Sequence, residues 1–317
     1  MSIADKQVIG GRLMAALSLA LIAGCGDSAP DASAAASAPE TAVEAPIPDA
    51  SPSSSDLLQA ALDGQTEEMK ARYAARNPGA TLEFLGIEPG MTVVEALPGG
   101  GWYSKILIPY LGDSGTLIGV DYALDMWPKF GFFSDEQIEE KKTWTTSWVE
   151  TANGWGDGAN VEAFVFGDMG DVEKESADAV LMIRALHNLS RFEDDGGYRT
   201  QALQDAYNVL KPGGTLGIVQ HRAPSDAPDE WATGAAGYLK QAAVVAAVEA
   251  AGFELVETSE INANPADQPT VEDFVWRLPP SLATSREDDA LRAEMIAIGE
   301  SDRMTLKFRK SGPASGD

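Results

Sequence analysis

An α/β fold built on a doubly wound, mostly parallel sheet is what the 317-residue sequence predicts, and three features predict it. Short β-branched and apolar runs alternate with amphipathic stretches of helix length. Glycines or acidic residues close several of those runs at the carboxyl end. Apolar residues are 44% and charged ones 23%, ordinary values for a chain that buries a core. Strands that alternate with helices pair in parallel, and the helices then cover both faces of the sheet.

Taken in chain order, the first segment lies outside that fold. Lys6 and Arg12 precede a run from Leu13 to Ala23 made almost wholly of Leu, Ala, Ile and Met. The run is too short for a permanent bilayer span and fits the apolar core of a signal peptide. It ends in Leu21-Ile22-Ala23-Gly24-Cys25, which resembles the lipobox of bacterial lipoproteins. That resemblance implies removal of residues 1–24 and a lipid on the Cys25 thiol. The expected location is therefore the bacterial cell envelope, with the domain in the periplasm and the membrane reached only through that lipid. Residues 25–55 are rich in Ala, Pro, Ser and acid; they bury too little apolar surface to offset their ordering entropy and read as a flexible tether. Residues 56–310 are expected to form one domain, with 311–317 a disordered tail.

Within the domain, Met91 to Leu97 is the first strand, entered from the turn Glu88-Pro89-Gly90. Pro98-Gly99-Gly100-Gly101 and a helix from Trp102 to Leu111 follow it. Gly115 to Asp121 is the second strand, Ser134 to Thr151 an acidic amphipathic helix, and Val161 to Phe166 a third strand closed by Gly167-Asp168. Ala177 to Ile183 runs into Arg184-Ala185-Leu186-His187-Asn188. The helix from Tyr198 to Leu210 stops at Lys211-Pro212-Gly213-Gly214, where proline cannot continue it and glycine suits the cap. Thr215 to Val219 leads to Gln220-His221-Arg222, a helix Gly237 to Ala251 precedes the strand Phe253 to Glu257, and Arg303 to Arg309 is the last strand.

Charge and rare residues exclude several function classes. Acidic side chains number 49 against 23 basic, a net charge of −26, and no basic stripe interrupts them, so no nucleic-acid partner is expected. The single cysteine excludes internal disulfides and Cys-rich zinc sites, and two histidines leave little for a His-based metal site. No metal is expected.

In open parallel sheets, ligands sit beyond the carboxyl ends of the strands. There the chain places Glu95 and the glycine run, Asp121, Asp168, and both of its histidines, His187 and His221. Asp121 suits two ribose hydroxyls, and Asp168 stands at the height of an adenine amino group. A nicotinamide fingerprint would need glycine where Ser104 stands, and a phosphate loop would need Gly-Lys-Ser or Gly-Lys-Thr, which is absent.

Val94-Glu95 through Gly101, Asp121, Gly167-Asp168 and Leu210-Lys211-Pro212-Gly213-Gly214 together resemble class I S-adenosylmethionine-dependent methyltransferases. More narrowly, the chain is similar to a bacterial group of predicted methyltransferases, through Pro98-Gly99-Gly100-Gly101-Trp102-Tyr103-Ser104, Arg184 to Asn188, Gly237 to Lys240, Ser259 to Pro265 and Gly299 to Met304. Leu97 takes the first glycine position of the usual strand-one motif, and Ala185 stands where the narrower group tends to have asparagine.

The resemblance covers roughly residues 70–310 and implies a seven-stranded, Rossmann-like methyltransferase sheet whose last strand runs antiparallel, paired with strand six like a hairpin. It implies S-adenosylmethionine as cofactor and a small-molecule methyl acceptor. Glu95, Leu97, Pro98, Gly99, Gly100, Gly101, Asp121, Asp168, Met169 and Arg184 are the cofactor-binding candidates, and His187, Asn188 and His221 the catalytic ones. His187 fits two roles, a general base titrating near neutrality or a side chain holding strand-end backbone. Trp102 and Tyr103 fit either the cofactor or the core. Glu260, Asn262 and Asn264 fit either the acceptor or a loop-capping role. Since S-adenosylmethionine is made in the cytoplasm and a lipoprotein is displayed outside it, a non-catalytic, membrane-tethered binding protein on the same fold is the competing reading.

Overall fold

The computed structural model of the protein describes residues 52–311. The segment expected as signal peptide, Cys25, the expected tether up to residue 51 and the expected tail from residue 312 lie outside the described residues.

Helices α1 (Ser54–Asp63), α2 (Glu67–Lys70), α3 (Tyr73–Arg76) and α4 (Pro78–Leu85) precede the sheet. The first of them begins inside the stretch expected to be tether. Ser53 Oγ accepts from the Asp56 amide at 3.2 Å, and the Asp56 carboxylate accepts from the Ser53 amide at 3.0 Å. This reciprocal cap satisfies donors that a helix start otherwise leaves open, so the ordered domain starts before residue 56.

Strands and helices then alternate: β1 (Thr92–Ala96), α5 (Ser104–Leu111), β2 (Thr116–Asp121), α6 (Asp135–Glu140), α7 (Trp144–Ala152), β3 (Asn160–Val165), β4 (Ala177–Ile183), α8 (Leu186–Arg191), α9 (Glu193–Gly196), α10 (Tyr198–Val209), β5 (Leu210–His221), α11 (Gln241–Ala250), β6 (Phe253–Ser259), α12 (Asp289–Ile298) and β7 (Arg303–Lys310). The expected helix over Ser134 to Thr151 is thus two helices, separated by a 3-10 turn at Lys141–Thr143. There Thr143 Oγ1 donates to the Glu140 carbonyl at 3.1 Å, a local bond that competes with the helical ladder.

The strands form one sheet in the order β3-β2-β1-β4-β5-β7-β6. The pairs from β3 to β5 are parallel, while β7 runs antiparallel to both β5 and β6. The last pair is no hairpin, because a long connection carrying α12 separates β6 from β7. Lys211 to Gly214, expected as a turn before strand five, lies within β5 as an irregularity: Ala177 pairs with Leu210, and Ala179 next with Thr215. The helix before it still ends at Val209.

Side chains alternate across the sheet and build a core on each face. Val94, Ala96, Ile118 and Val120 pack on one face with residues of α8, α10 and α11. Val93, Leu117, Ala179 and Leu181 pack on the other with residues of α1, α4, α5 and α7. A side chain at Gly119, on this second face, would collide with Trp148 of α7, whose ring lies 2.7 Å from where a Cβ would stand. No helix of the described residues is long and apolar enough to cross a membrane.

Candidate functional site

The carboxyl edge of β1 and β4 opens on a cavity of about 730 Å³, walled by residues of α2, α3, the loop after β1, Trp155 and Arg184. Glu95 lies beneath it, on the face where α5 packs, and is 4% exposed. Ser104, the first residue of α5, donates from Oγ to Glu95 Oε2 at 2.6 Å. Burial pushes the Glu95 carboxyl up to about 7, against the pull of the Ser104 bond and of the Arg184 charge. Sequence reading gave Ser104 no role at the site; its hydroxyl is what holds this carboxylate.

The loop from Leu97 to Gly101 turns sharply, with φ of 56° at Leu97, 54° at Gly99 and 73° at Gly101. Its turn is closed by the Gly101 amide, which donates to the Pro98 carbonyl at 2.9 Å. Nothing stands within 4 Å of a Cβ built on Gly100, and on Gly99 only the loop's own Leu97 carbonyl does, at 4.0 Å. This backbone is therefore open to a ligand. Gly101 differs, since the Trp155 ring lies 2.2 Å from its would-be Cβ.

Asp121 ends β2 and is 7% exposed. Its carboxylate accepts from the Tyr122 amide at 2.9 Å and from Lys141 Nζ at 3.2 Å. Burial raises its pKa, and Lys141 is the largest opposing influence. The same ammonium stands 3.8 Å over the Trp127 ring. Lys141 also lines a second cavity, of about 650 Å³, with Phe164, Val165 and Asp168. Asp168 is exposed and accepts from the Gly170 amide at 3.1 Å, while Met169 packs partly buried against the core.

The remaining candidates lie elsewhere. His187 is 7% exposed, with its ring 5.4 Å from His221 and 5.8 Å from Trp276. Its Nδ1 has no hydrogen-bond partner among the described residues, and burial lowers its pKa to about 4. Titration near neutrality, the ground for expecting a base there, is not what this fold provides. His221 Nδ1 shares a 2.6 Å hydrogen bond with Ser301 Oγ, and burial holds its pKa well below the usual value. Asn188 donates to the Tyr122 hydroxyl at 2.9 Å. None of these three side chains lines the cavity above Gly99 and Gly100.

Tyr103 is buried in the core, whereas Trp102 is half-buried and forms cavity wall. The strand-six residues staple loops. Glu260 takes both arms of Arg222, Asn262 donates to Thr81 and Thr305 at 3.0 Å each, and Asn264 donates to the carbonyls of Ile298 and Glu300. Sequence reading missed a cluster of cations: Arg72, Arg76 and Arg303 all bond to Glu300, and the charges of Arg76 and Arg303 are close enough to Arg184 to lower its pKa. Their wide separation along the chain leaves no local signal.

Residues 94–218 match the family model described as a methyltransferase domain. A chain of the complex between the Haloferax volcanii Trm112 methyltransferase activator and its methyltransferase is 18% identical, the match covering 83% of this chain and 100% of that one at a TM-score of 0.48. A SAM dependent methyltransferase from Aquifex aeolicus is 20% identical over 65% of this chain and 93% of that one, at 0.44. The Burkholderia thailandensis 1,6-didemethyltoxoflavin-N1-methyltransferase is 14% identical over 81% and 87%, at 0.41. With β7 antiparallel in the order β3-β2-β1-β4-β5-β7-β6, the sheet has the Rossmann-like methyltransferase fold, and residues 94–218 are similar to the methyltransferase-domain family.

Proposed function

We propose that the protein transfers a methyl group from S-adenosylmethionine to a small-molecule acceptor bound in the cavity beyond β1 and β4. The observation that carries this reading is the open backbone of Gly99 and Gly100 inside a 730 Å³ cavity, with buried carboxylates Glu95 and Asp121 at the same strand ends. That donor set fits the cofactor. The loop from Leu97 to Gly101 gives the backbone approach its amino-acid end needs, and Glu95 a carboxylate beneath it. Asp121 has the two oxygens a ribose diol requires, provided Lys141 gives one of them up.

Bound S-adenosylmethionine supplies a methyl group on a sulfonium sulfur. The chain's own task is alignment, which raises the rate by holding acceptor and methyl in line. The loop from Leu97 to Gly101, with Glu95 and Asp121, would hold the cofactor so that its methyl carbon passes to the acceptor's lone pair and the electron pair of the methyl–sulfur bond stays on sulfur. A proton carried by the acceptor atom passes to water, because the buried histidines stand outside the cavity. We further propose that a lipid on Cys25 holds the domain at the bacterial cell envelope, on the periplasmic side.

Calorimetric titration of S-adenosylmethionine and S-adenosylhomocysteine into the protein tests the reading. Micromolar binding is expected. Asp121→Ala should weaken it by about 2 kcal/mol while costing less in thermal stability. Absence of binding by folded wild-type protein would reject the reading, and equal losses of affinity and stability would make Asp121 structural.

A further inference from the structure

The cavity reverses the charge of the molecule around it. In a chain with 49 acidic and 23 basic residues, Arg72, Arg76, Lys105 and Arg184 line the cavity against one carboxylate, the exposed Glu68. Behind the wall, the guanidinium groups of Arg72, Arg76 and Arg303 share the single carboxylate of Glu300, which they hold at a pKa of about 2. Among the described residues Arg184 has no ion-pair partner at all, and burial with the nearby Arg76 and Arg303 charges lowers its pKa to about 9. A buried excess of positive charge is costly unless an anion joins it.

Two details show which atoms face that anion. Arg76 turns its Nε to both Glu300 oxygens at 3.2 Å, and its two terminal nitrogens make no hydrogen bond among the described residues. Its guanidinium lies 4.6 Å over the Trp102 ring, which fixes its plane beside an apolar wall. Arg184 leaves β4 with φ of 59°, a backbone conformation that an arginine adopts only under constraint. Its amide donates to the Val219 carbonyl, so neighbouring β5 holds that bend and the side chain reaches the cavity. A guanidinium fork matches the paired oxygens of a carboxylate or phosphate.

We propose that Arg76 and Arg184 form an oxyanion subsite in this cavity, and that the methyl acceptor is a small organic anion held there by its carboxylate or phosphate. The acceptor assignment rests on the methyl-transfer reading; the subsite itself rests on the arginines. The other source of an oxyanion is the carboxylate of the cofactor, and competition separates the two.

Inorganic phosphate and benzoate are titrated into the full-length protein, with and without saturating S-adenosylhomocysteine. At least one probe is expected to bind, equally well in both conditions. Arg184→Gln should weaken it about tenfold, and Arg184→Lys, which keeps the charge and loses the fork, by less. Thermal unfolding at the wild-type midpoint would show that both variants are folded. Failure of both probes to bind at about 100 mM, a hundred times a millimolar Kd, would overturn the subsite. So would binding unchanged in Arg184→Gln. Displacement of the probes by S-adenosylhomocysteine would hand the arginines to the cofactor's carboxylate and overturn the acceptor assignment. Probe binding by protein that ignores S-adenosylhomocysteine would leave the subsite standing and remove the methyl-transfer reading alone.

Discussion

Glu95 is 4% exposed, keeps one hydrogen bond from Ser104, and titrates at about 7 instead of 4.5. The folded state therefore holds a proton that the unfolded chain releases between those two values. Its contribution to stability is fully present below pH 4.5, falls as pH rises, and is lost above about 7. Glu95→Gln, which cannot ionise, should be more stable than wild type by about 1–3 kcal/mol near pH 8, with the gap closing toward about pH 5. Chemical denaturation at the two pH values checks this; a gap that does not change with pH would refute the assigned shift. The same substitution should weaken S-adenosylmethionine binding about tenfold, since a carboxylate attracts a cationic ligand and an amide does not.

The segment from Leu124 to Trp155 acts as a cover over the first two strand ends. Trp148 lies on Gly119, Trp155 on Gly101 and Lys141 on Asp121. The Lys141 ammonium occupies an oxygen that the ribose would use, so Lys141→Met should tighten S-adenosylhomocysteine binding a few-fold, about 1 kcal/mol. Calorimetry decides it, and weaker binding would show that Lys141 aids the cofactor. Sequence patterning located each strand to within a few residues, because β-branched runs bounded by glycine or acid have few other ways to fold. It also placed Glu95, Gly99 to Gly101 and Asp121 at one sheet edge. It missed α1 to α4, α8, α9 and α12, and it put Lys211 to Gly214 in a turn when β5 absorbs them as an irregularity. The pair of Lys141 with Asp121, and the meeting of Arg72, Arg76, Arg184 and Arg303, depend on tertiary approach that no local pattern records.

For the molecule as a whole, the net charge of −26 belongs to the surface, while the cavity beyond β1 and β4 is cationic. Such a surface repels anionic headgroups, so the proposed attachment to a membrane rests on the proposed lipid at Cys25. Cys25→Ser is expected to move the protein from the membrane pellet to the soluble fraction, and unchanged sedimentation would reject the anchor. The indole of Trp155 forms cavity wall, rests on Gly101 and has the Lys105 ammonium 5.1 Å from its ring centre. A molecule that settles on the glycine loop alters the polarity around that fluorophore. The protein thus carries its own optical gauge of occupancy, one that responds whatever the acceptor proves to be.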